Sequence, residues 1–213
     1  PMSTSTRPTP AEALQRLRAG NARFVAGASE HPNQDAARRE SLTDGQHPFA
    51  VIFGCSDSRL AAEIIFDLGL GDTFVVRTAG QVVGNAALGS LEYSVTDLDV
   101  PLIVVLGHDS CGAVTAASGS YDSGQMPGGF VRDLVEEILP AVVETHREAQ
   151  GETPTINDMV RTNTRQTAQR VLDQSKIIDA AVREGRTAVV GAFYNLRDGR
   201  AELVWSSQEL AED

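Results

Sequence analysis

The only two cysteines of the chain and one of its four histidines stand just after apolar segments. Cys55 follows residues 49–54, while His108 and Cys111 follow residues 102–107 as an H-x-x-C motif. Two thiolates and an imidazole suit zinc, a borderline-soft ion with tetrahedral coordination and no redox chemistry. Three protein ligands leave a fourth coordination position open, as in catalytic zinc sites. The sequence therefore predicts a zinc centre with one open position.

Two charged residues, Asp57 and Arg59, lie two and four positions after Cys55. The Asp57 carboxylate could fill the open position on the metal, or it could accept a hydrogen bond from a metal-bound water. The planar guanidinium of Arg59 can bind a carboxylate through two charge-assisted hydrogen bonds, which would hold it away from the ion. An ordinary surface ion pair, worth under about 1 kcal/mol, is the alternative. Proximity to Cys55 favours the functional interpretation.

An open zinc site predicts a hydroxide nucleophile that needs no serine. A divalent ion with an open position lowers the pKa of bound water from about 15.7 to about 7, so hydroxide forms near neutral pH. Because two thiolates offset the charge of zinc, this water should be less acidic than at an all-imidazole site, and activity should rise on the alkaline side of neutrality. Ionised Asp57 can accept the hydroxide's proton in a hydrogen bond.

Other interpretations of the two cysteines remain open. Either Cys55 or Cys111 could be a plain core residue, since free cysteine is among the most buried residue types. The chain could also be a noncatalytic zinc-binding or redox module in which the two thiols pair reversibly, although Asp57 and Arg59 have no role there. The remaining histidines lie in polar stretches, and we expect them to be solvated surface residues: His31, His47 and His146.

Alternating strands and helices should bring these residues together. The strands expected from apolar runs are 49–54, 73–77, 102–106 and 187–193, with 201–205 as a possible antiparallel edge strand. The helices expected between them are 61–68, 86–98, 130–148 and a tract at 155–183. This order predicts an α/β fold with a central, mainly parallel sheet flanked by helices. Loops at the carboxyl ends of parallel strands share one edge, where Cys55 and His108 would meet.

The segments before the first strand predict a helical N-terminal arm. Thr9 can cap a helix with Pro10 at its first position and Glu12 at its third, and this helix should end near Gly27. A short helix is expected over residues 35–42. Residues 1–9 are expected to form a flexible tail, in which Pro1 before Met2 is typical of a cloning remnant. Residues 10–213 should form a single catalytic domain, since no linker or repeat interrupts them.

The composition is that of an ordinary folded domain. The 213 residues are 41% hydrophobic and 22% charged, which excludes a disordered, collagen-like or coiled-coil chain. Its formal net charge of -11 disfavours nucleic acids and anionic membranes as partners. No apolar run approaches the roughly 20 residues of a membrane-spanning helix, and no export or transit signal is legible.

The motifs C-x-D-x-R at 55–59 and H-x-x-C at 108–111 are similar to the zinc signature of the β-class carbonic anhydrases. The resemblance covers the chain from about Thr9 to Trp205. It implies a cytoplasmic zinc enzyme that interconverts CO2 and water with bicarbonate and a proton. It also implies a homodimer or a dimer of dimers, in which N-terminal helices embrace the neighbour and the active sites lie at the subunit interface.

The same resemblance assigns roles to individual residues. It makes Cys55, His108 and Cys111 the zinc ligands and makes Asp57 with Arg59 the catalytic dyad. The substrate pocket that it implies comprises Gln46, Phe74, Ala79, Val82, Tyr93 and Gly112, with Gln46 reaching substrate across the interface as in plant-like members. Without the resemblance, Gln46 is a polar loop residue and Phe74 a core residue. Ala79 stands where plant-like relatives often have a larger aliphatic side chain.

Regulation is a further implication of the family. In some members the aspartate leaves its arginine and binds zinc as pH falls, and a noncatalytic bicarbonate favours that state through a Trp, an Arg and a Tyr. Arg77 and Tyr194 match two of these residues, whereas Ile52 replaces the Trp. We therefore expect an incomplete bicarbonate pocket and an Asp57 that rests on Arg59 at alkaline pH; closure at low pH stays open. A CS2 or carbonyl sulfide hydrolase of the same fold remains an alternative.

Overall fold

The computed structural model describes residues 7–210, so most of the expected tail at 1–9 lies outside the described residues. These residues form a five-stranded sheet in the order β2-β1-β3-β4-β5. The strands are β1 (Ala50–Cys55), β2 (Thr73–Thr78), β3 (Leu102–His108), β4 (Ala188–Tyr194) and β5 (Ala201–Ser206). The first four are parallel and β5 is antiparallel to β4. The predicted α/β fold class and the antiparallel edge strand are confirmed.

Helices cover both faces of this sheet. They are α1 (Pro10–Val25), α2 (Ala36–Ser41), α3 (Ala62–Ile65), α4 (Asn85–Thr96), α5 (Gly112–Ser123), α6 (Val131–Glu148), α7 (Ile156–Gln174) and α8 (Lys176–Arg183). A short 3₁₀ turn, Ala79–Gln81, follows β2. Within residues 7–210, no helix combines the length and the apolar character needed to span a bilayer.

The N-terminal helix begins as its sequence predicts. The Thr9 side chain accepts from the Glu12 amide, while Glu12 accepts from the Thr9 amide, so both halves of the capping box are present. Leu14 and Leu17 bury the apolar stripe of α1 in the core. Asn21 then donates to the carbonyls of residues 65 and 199 and accepts from the amide of residue 201, which ties α1 to α3 and to the β4–β5 connection.

Three elements differ from the sequence prediction. Helix α3 ends at Ile65 rather than near residue 68, because Asp67 adopts a left-handed conformation with φ 48°. The tract at 155–183 divides at Ser175, whose extended backbone ends α7 and whose hydroxyl accepts from the Ile178 amide to cap α8. Helix α5 was not predicted, because its Gly, Ala, Ser and Thr residues form no clear apolar stripe.

The sheet brings the site residues to one edge. Central strands β1 and β3 are neighbours and are buried along their whole length. Cys55 ends β1 and His108 ends β3, so both residues reach the carboxyl edge. Helix α7 packs closely under this edge: a Cβ added to Gly107 would lie 2.1 Å from Thr164 Oγ1. This close contact leaves room only for glycine beside His108.

Candidate metal centre

The structure brings Cys55, His108 and Cys111 into one cluster. Their ligand atoms all lie within 4.8 Å of one another, and all three residues are buried. Cys55 and His108 come from neighbouring strand ends, whereas Cys111 occupies the N-cap of α5. Because the donors are two thiols and one imidazole, the cluster could hold a metal ion with a preference for sulfur and nitrogen. The predicted convergence of these residues is confirmed.

His108 is oriented with one ring nitrogen directed at the cluster. Its Nδ1 lies 2.9 Å from the Asp109 carbonyl oxygen, a contact that requires Nδ1 to carry the proton and to donate. The neutral imidazole then has a lone pair on Nε2. Nε2 is buried and has no hydrogen-bond partner among the described residues. Within residues 7–210, no hydrogen-bond donor faces this buried lone pair, which is therefore free to bind a metal ion.

The two cysteines are free thiols whose sulfur atoms lie within 4.8 Å of each other. A hydrogen bond from Cys111 lowers the pKa of Cys55, and a hydrogen bond from the Gly80 amide acts in the same direction. The same contact, together with burial, raises the pKa of Cys111. One thiolate therefore forms readily, and the second is opposed by the charge of the first. A divalent cation would supply the positive charge that lets both act as thiolates.

Asp57 is held by Arg59 in the geometry that the sequence suggested. Arg59 Nε donates to Oδ1 at 2.9 Å, one Arg59 Nη donates to Oδ2 at 2.7 Å, and the Arg59 amide also donates to Oδ1 at 2.9 Å. The hydrogen bond from Arg59 is the main reason that the pKa of Asp57 is held well below its usual range. Asp57 is therefore an ionised acceptor beside the cluster, with both oxygens engaged.

A second arginine fixes the loop that carries Cys55 and Asp57. Arg77 Nε donates to the Cys55 carbonyl at 3.0 Å, and one Arg77 Nη donates to the Asp57 carbonyl at 2.7 Å. The family resemblance associates Arg77 with regulation, and these hydrogen bonds add a structural role. The strand register is consistent with these hydrogen bonds, because Arg77 on β2 pairs with Gly54 on β1, next to Cys55. Ile52 and Tyr194, the other two positions matched to the family's regulatory bicarbonate site, are buried in β1 and β4, respectively.

The aromatic pocket residues lie together, but not at the thiols. The Phe74 and Tyr93 rings contact each other with centroids 6.1 Å apart. Phe74 packs against the hydrophobic cluster that contains Val51 and Phe53, whereas Cys55 belongs to a separate hydrophobic cluster. Tyr93 is 46% exposed. Phe74 is thus half-buried rather than fully in the core.

The remaining predicted pocket residues are distributed around the edge of the sheet. Ala79 begins the 3₁₀ turn next to Gly80, Val82 follows that turn and packs against the cluster of the cysteines, and Gly112 is the exposed first residue of α5. Gln46 is exposed in the loop before β1, as expected of a polar loop residue. His31 and His47 are also exposed, as predicted.

His146 differs from the surface position predicted for it. Its ring is half-buried and stacks on Tyr121 with centroids 4.4 Å apart. Its Nε2 is buried without a hydrogen-bond partner among the described residues. The polar sequence around His146 conceals this contact, because Tyr121 lies on a different helix, α5.

Sequence reasoning assigned no role to α7, yet this helix contacts two of the loops at the site. The Ser110 amide donates to Asn157 Oδ1 at 3.0 Å, and Asn163 Nδ2 donates to the Gly80 carbonyl at 3.1 Å. Thr164 accepts from the side chain of Gln81 at 3.3 Å. The sequence feature that indicates this role is the run of polar residues at 162–164. In the structure all three are buried in the middle of the helix. Buried polar groups need partners, and for Asn163 and Thr164 these include residues at the site.

Comparison with known proteins gives a consistent family. Residues 50–201 match the family model for carbonic anhydrase. A carbonic anhydrase of Mycolicibacterium smegmatis is 50% identical over 194 residues, which cover 91% of this chain and 93% of that protein. Carbonic anhydrase 2 of Mycobacterium tuberculosis is also 50% identical over 194 residues, covering 91% of this chain and 92% of the relative.

Solved structures resemble the fold closely. The β-carbonic anhydrase CcaA superposes with a TM-score of 0.72 at 26% identity, covering 89% of this chain and 86% of that one. One of two tetrameric β-carbonic anhydrases from the ascomycete Sordaria macrospora gives a TM-score of 0.69 at 25% identity, covering 92% of this chain and 98% of its own. Sequence and fold comparisons therefore agree.

Proposed function

The chain belongs to the β-class of the carbonic anhydrase family and is an enzyme of that kind, and from this premise we propose a zinc-dependent mechanism for the reversible hydration of CO2. The observation that carries the proposal is the cluster of Cys55, His108 and Cys111 within 4.8 Å, with the ionised Asp57 beside it. Two thiolates and one imidazole, all buried, fit zinc better than a hard cation that prefers oxygen ligands. When bound, zinc would acidify a water molecule and so supply hydroxide as the nucleophile.

We assign Asp57 and Arg59 the task of orienting that nucleophile. An ionised carboxylate can only accept hydrogen bonds, so Asp57 fixes the direction of the nucleophile's proton and leaves an oxygen lone pair facing the substrate. Arg59 keeps both Asp57 oxygens engaged, which holds the carboxylate beside the cluster and out of the coordination sphere. Arg77 contributes by fixing the backbone between Cys55 and Asp57.

The substrate pocket is proposed to be completed by a second copy of the chain. CO2 is small and has no net dipole, so an apolar wall formed by Phe74, Ala79 and Val82 would suit it, with Tyr93 and Gly112 at the margin. Within one chain, Phe74 packs in a different hydrophobic cluster from Cys55, and Tyr93 contacts Phe74. Their placement supports a homodimer or dimer of dimers with sites at the interface, where Gln46 would reach substrate across the subunit boundary. The enzyme is proposed to act in the cytoplasm, with residues 10–213 as one catalytic domain.

For regulation, we propose that the site rests open at alkaline pH, with Asp57 on Arg59. The paired hydrogen bonds between the two side chains support that state. Ile52 offers no hydrogen bond to an anion, so the bicarbonate pocket formed with Arg77 and Tyr194 is proposed to be incomplete. Arg77 also has its Nε and one Nη occupied by backbone carbonyls.

The test is a stopped-flow assay of CO2 hydration on purified protein that has never been exposed to acid or chelator. Metal analysis should find one zinc per chain, and hydration should be faster on the alkaline side of neutrality. A sulfide-release assay with CS2 and carbonyl sulfide runs beside it. Sulfide release without CO2 hydration would replace the proposed reaction with hydrolysis of those substrates, and protein purified without metal would contradict the zinc mechanism.

A further inference from the structure

The sulfur atom of Cys55 has a backbone hydrogen-bond donor. The amide of Gly80 donates to Cys55 Sγ at 3.3 Å in a buried environment. Gly80 has φ 65° and ψ 20°, in the left-handed region that favours glycine. A Cβ at this position would lie 2.8 Å from Ile138 Cδ1 and 2.9 Å from the Ala113 Cβ. Both its conformation and its surroundings therefore require glycine, and they direct its amide at the sulfur.

Asn163 holds the other end of the same residue. Its Nδ2 donates to the Gly80 carbonyl at 3.1 Å, and Asn163 is only 4% exposed. Gly80 is thus bound on both sides, with its amide on Cys55 and its carbonyl on α7. Asn163 lies 83 residues away from Gly80 in sequence, so this contact depends on the docking of α7 against the turn.

The turn needs such an anchor because its conformation is unfavourable by itself. Gln81 follows Gly80 and is also left-handed, with φ 45°, although it is not a glycine. A non-glycine residue in this region is strained and persists only when its surroundings hold it. Gln81 is buried, and its Nε2 donates to Thr164, the neighbour of Asn163 on α7. Helix α7 therefore stabilises both left-handed residues.

We propose that Asn163 is a positioning residue for the metal centre, which it serves by holding Gly80 so that the Gly80 amide donates to the Cys55 thiolate. The inference rests on the proposed function, since it takes Cys55 as a metal ligand. A hydrogen bond to a ligating sulfur withdraws charge from it and fixes its orientation, as outer-shell partners do for other ligands. Without Asn163, the buried Gly80 carbonyl would lack this hydrogen-bond donor. The turn would then relax, and the Gly80 amide would move away from the Cys55 sulfur.

The test compares Asn163→Leu with Thr167→Val. Leucine has a similar volume and no donor, while Thr167 lies on the same helix and is equally buried at 4%. Loss of outer-shell partners typically weakens metal sites by about tenfold to a hundredfold, and we expect zinc release from Asn163→Leu into a chelator to accelerate by about that factor. In the cobalt-substituted variant, the thiolate-to-cobalt charge-transfer band should move to longer wavelength. Thr167→Val should release zinc and absorb light as the wild type does.

The outcomes separate the two proposals. A wild-type chain that binds no zinc would overturn both the metal site and this role of Asn163. Zinc-loaded wild type together with an Asn163→Leu variant of unchanged zinc release and spectrum would overturn the role of Asn163 alone. If Asn163→Leu fails to fold, NMR of the cadmium-loaded wild type decides: scalar coupling between cadmium and the Gly80 amide proton is expected, and its absence would overturn the proposal.

Discussion

The Nε2 atom of His108 lies 3.9 Å from Oδ2 of Asp57. The carboxylate is therefore next to the nitrogen that faces the cluster, yet Arg59 engages both of its oxygens. A carboxylate in this position can accept a hydrogen bond from a group held at the cluster without joining it. The two roles that the sequence left open for Asp57, acceptor or metal ligand, differ in whether Arg59 keeps both of its oxygens.

Replacement of Asp57 tests the acceptor role. Asp57→Ala should reduce kcat for CO2 hydration by about a hundredfold or more, the usual loss when a positioned proton acceptor is removed. Zinc content should stay at one per chain, because Asp57 is not among the proposed ligands. Asp122→Ala, an exposed carboxylate on α5, serves as control and should keep wild-type turnover. Unchanged turnover of Asp57→Ala would remove Asp57 from the mechanism, and loss of zinc would make it a ligand.

Coordination of the metal provides a separate prediction. X-ray absorption at about pH 8.5, where hydroxide forms readily at zinc, should find three protein ligands, two of them sulfur, and one exchangeable position. Arg59→Gln should release the Asp57 carboxylate from its paired hydrogen bonds, and it should then bind the metal and lower turnover. Four protein ligands in the wild type at this pH would contradict the open site.

Because the chain has only two cysteines, thiol titration reports directly on the centre. In the zinc-loaded enzyme both thiols should resist alkylation, since each is ligating and buried. A chelator should expose two thiols per chain and abolish CO2 hydration, and stoichiometric zinc should restore both properties. Cys111→Ser should bind zinc far more weakly and should not recover. Thiols that react equally with and without zinc would contradict the assignment.

The ligand cluster could be predicted from sequence because its geometry follows from general rules. Cys55 and His108 stand at the ends of buried apolar runs, and neighbouring parallel strands end at the same edge. Cys111 follows in a short motif. Helix α5 was missed because its small polar residues form no apolar stripe, although Val114 and Ala117 are buried.

Contacts that depend on docking could not be predicted in the same way. Asn163 reaches Gly80 only because α7 packs under the edge of the sheet, and no local pattern states where a helix will pack. Arg77 could be placed on β2, but its hydrogen bonds to Cys55 and Asp57 depend on the strand register. The pocket proposed for Phe74 and Tyr93 requires a second copy of the chain, and no local pattern shows where that copy would sit.

The lowered pKa of Asp67 predicts how the free energy of unfolding changes with pH. Burial alone would raise the pKa of Asp67, but hydrogen bonds from the Glu30 amide, Arg23 and the His31 amide outweigh it and lower the pKa to about 2. Because the folded-state pKa lies below the unfolded value of about 3.9, this stabilisation is complete above about pH 5 and is lost as pH falls toward about 2. Asp67→Asn should therefore lower the free energy of unfolding at neutral pH by about 2 kcal/mol.

Denaturant unfolding at several pH values checks this prediction. The difference between wild type and Asp67→Asn should shrink as pH falls from about 5 to about 2.5, because the wild type loses the charged form of Asp67. Asp44→Asn, which changes an exposed carboxyl group before β1, should track the wild type throughout. A difference that is independent of pH would mean that the substitution acts through packing rather than through charge.

Replacement of glycine by alanine should have opposite effects at two positions. One of them lies at the contact between β3 and α7 beside His108, and the other lies on α5. In Gly107→Ala, the new Cβ would lie 2.1 Å from Thr164 Oγ1 and 3.1 Å from Val160 Cγ1, so overpacking should cost about 1–3 kcal/mol and speed zinc release. In Gly119→Ala, on the exposed side of α5, the Cβ meets nothing within 4 Å and should stabilise the helix by up to about 1 kcal/mol. Denaturant unfolding and zinc release measure both effects. A Gly107→Ala enzyme as stable as the wild type would show that α7 does not pack rigidly under the metal centre.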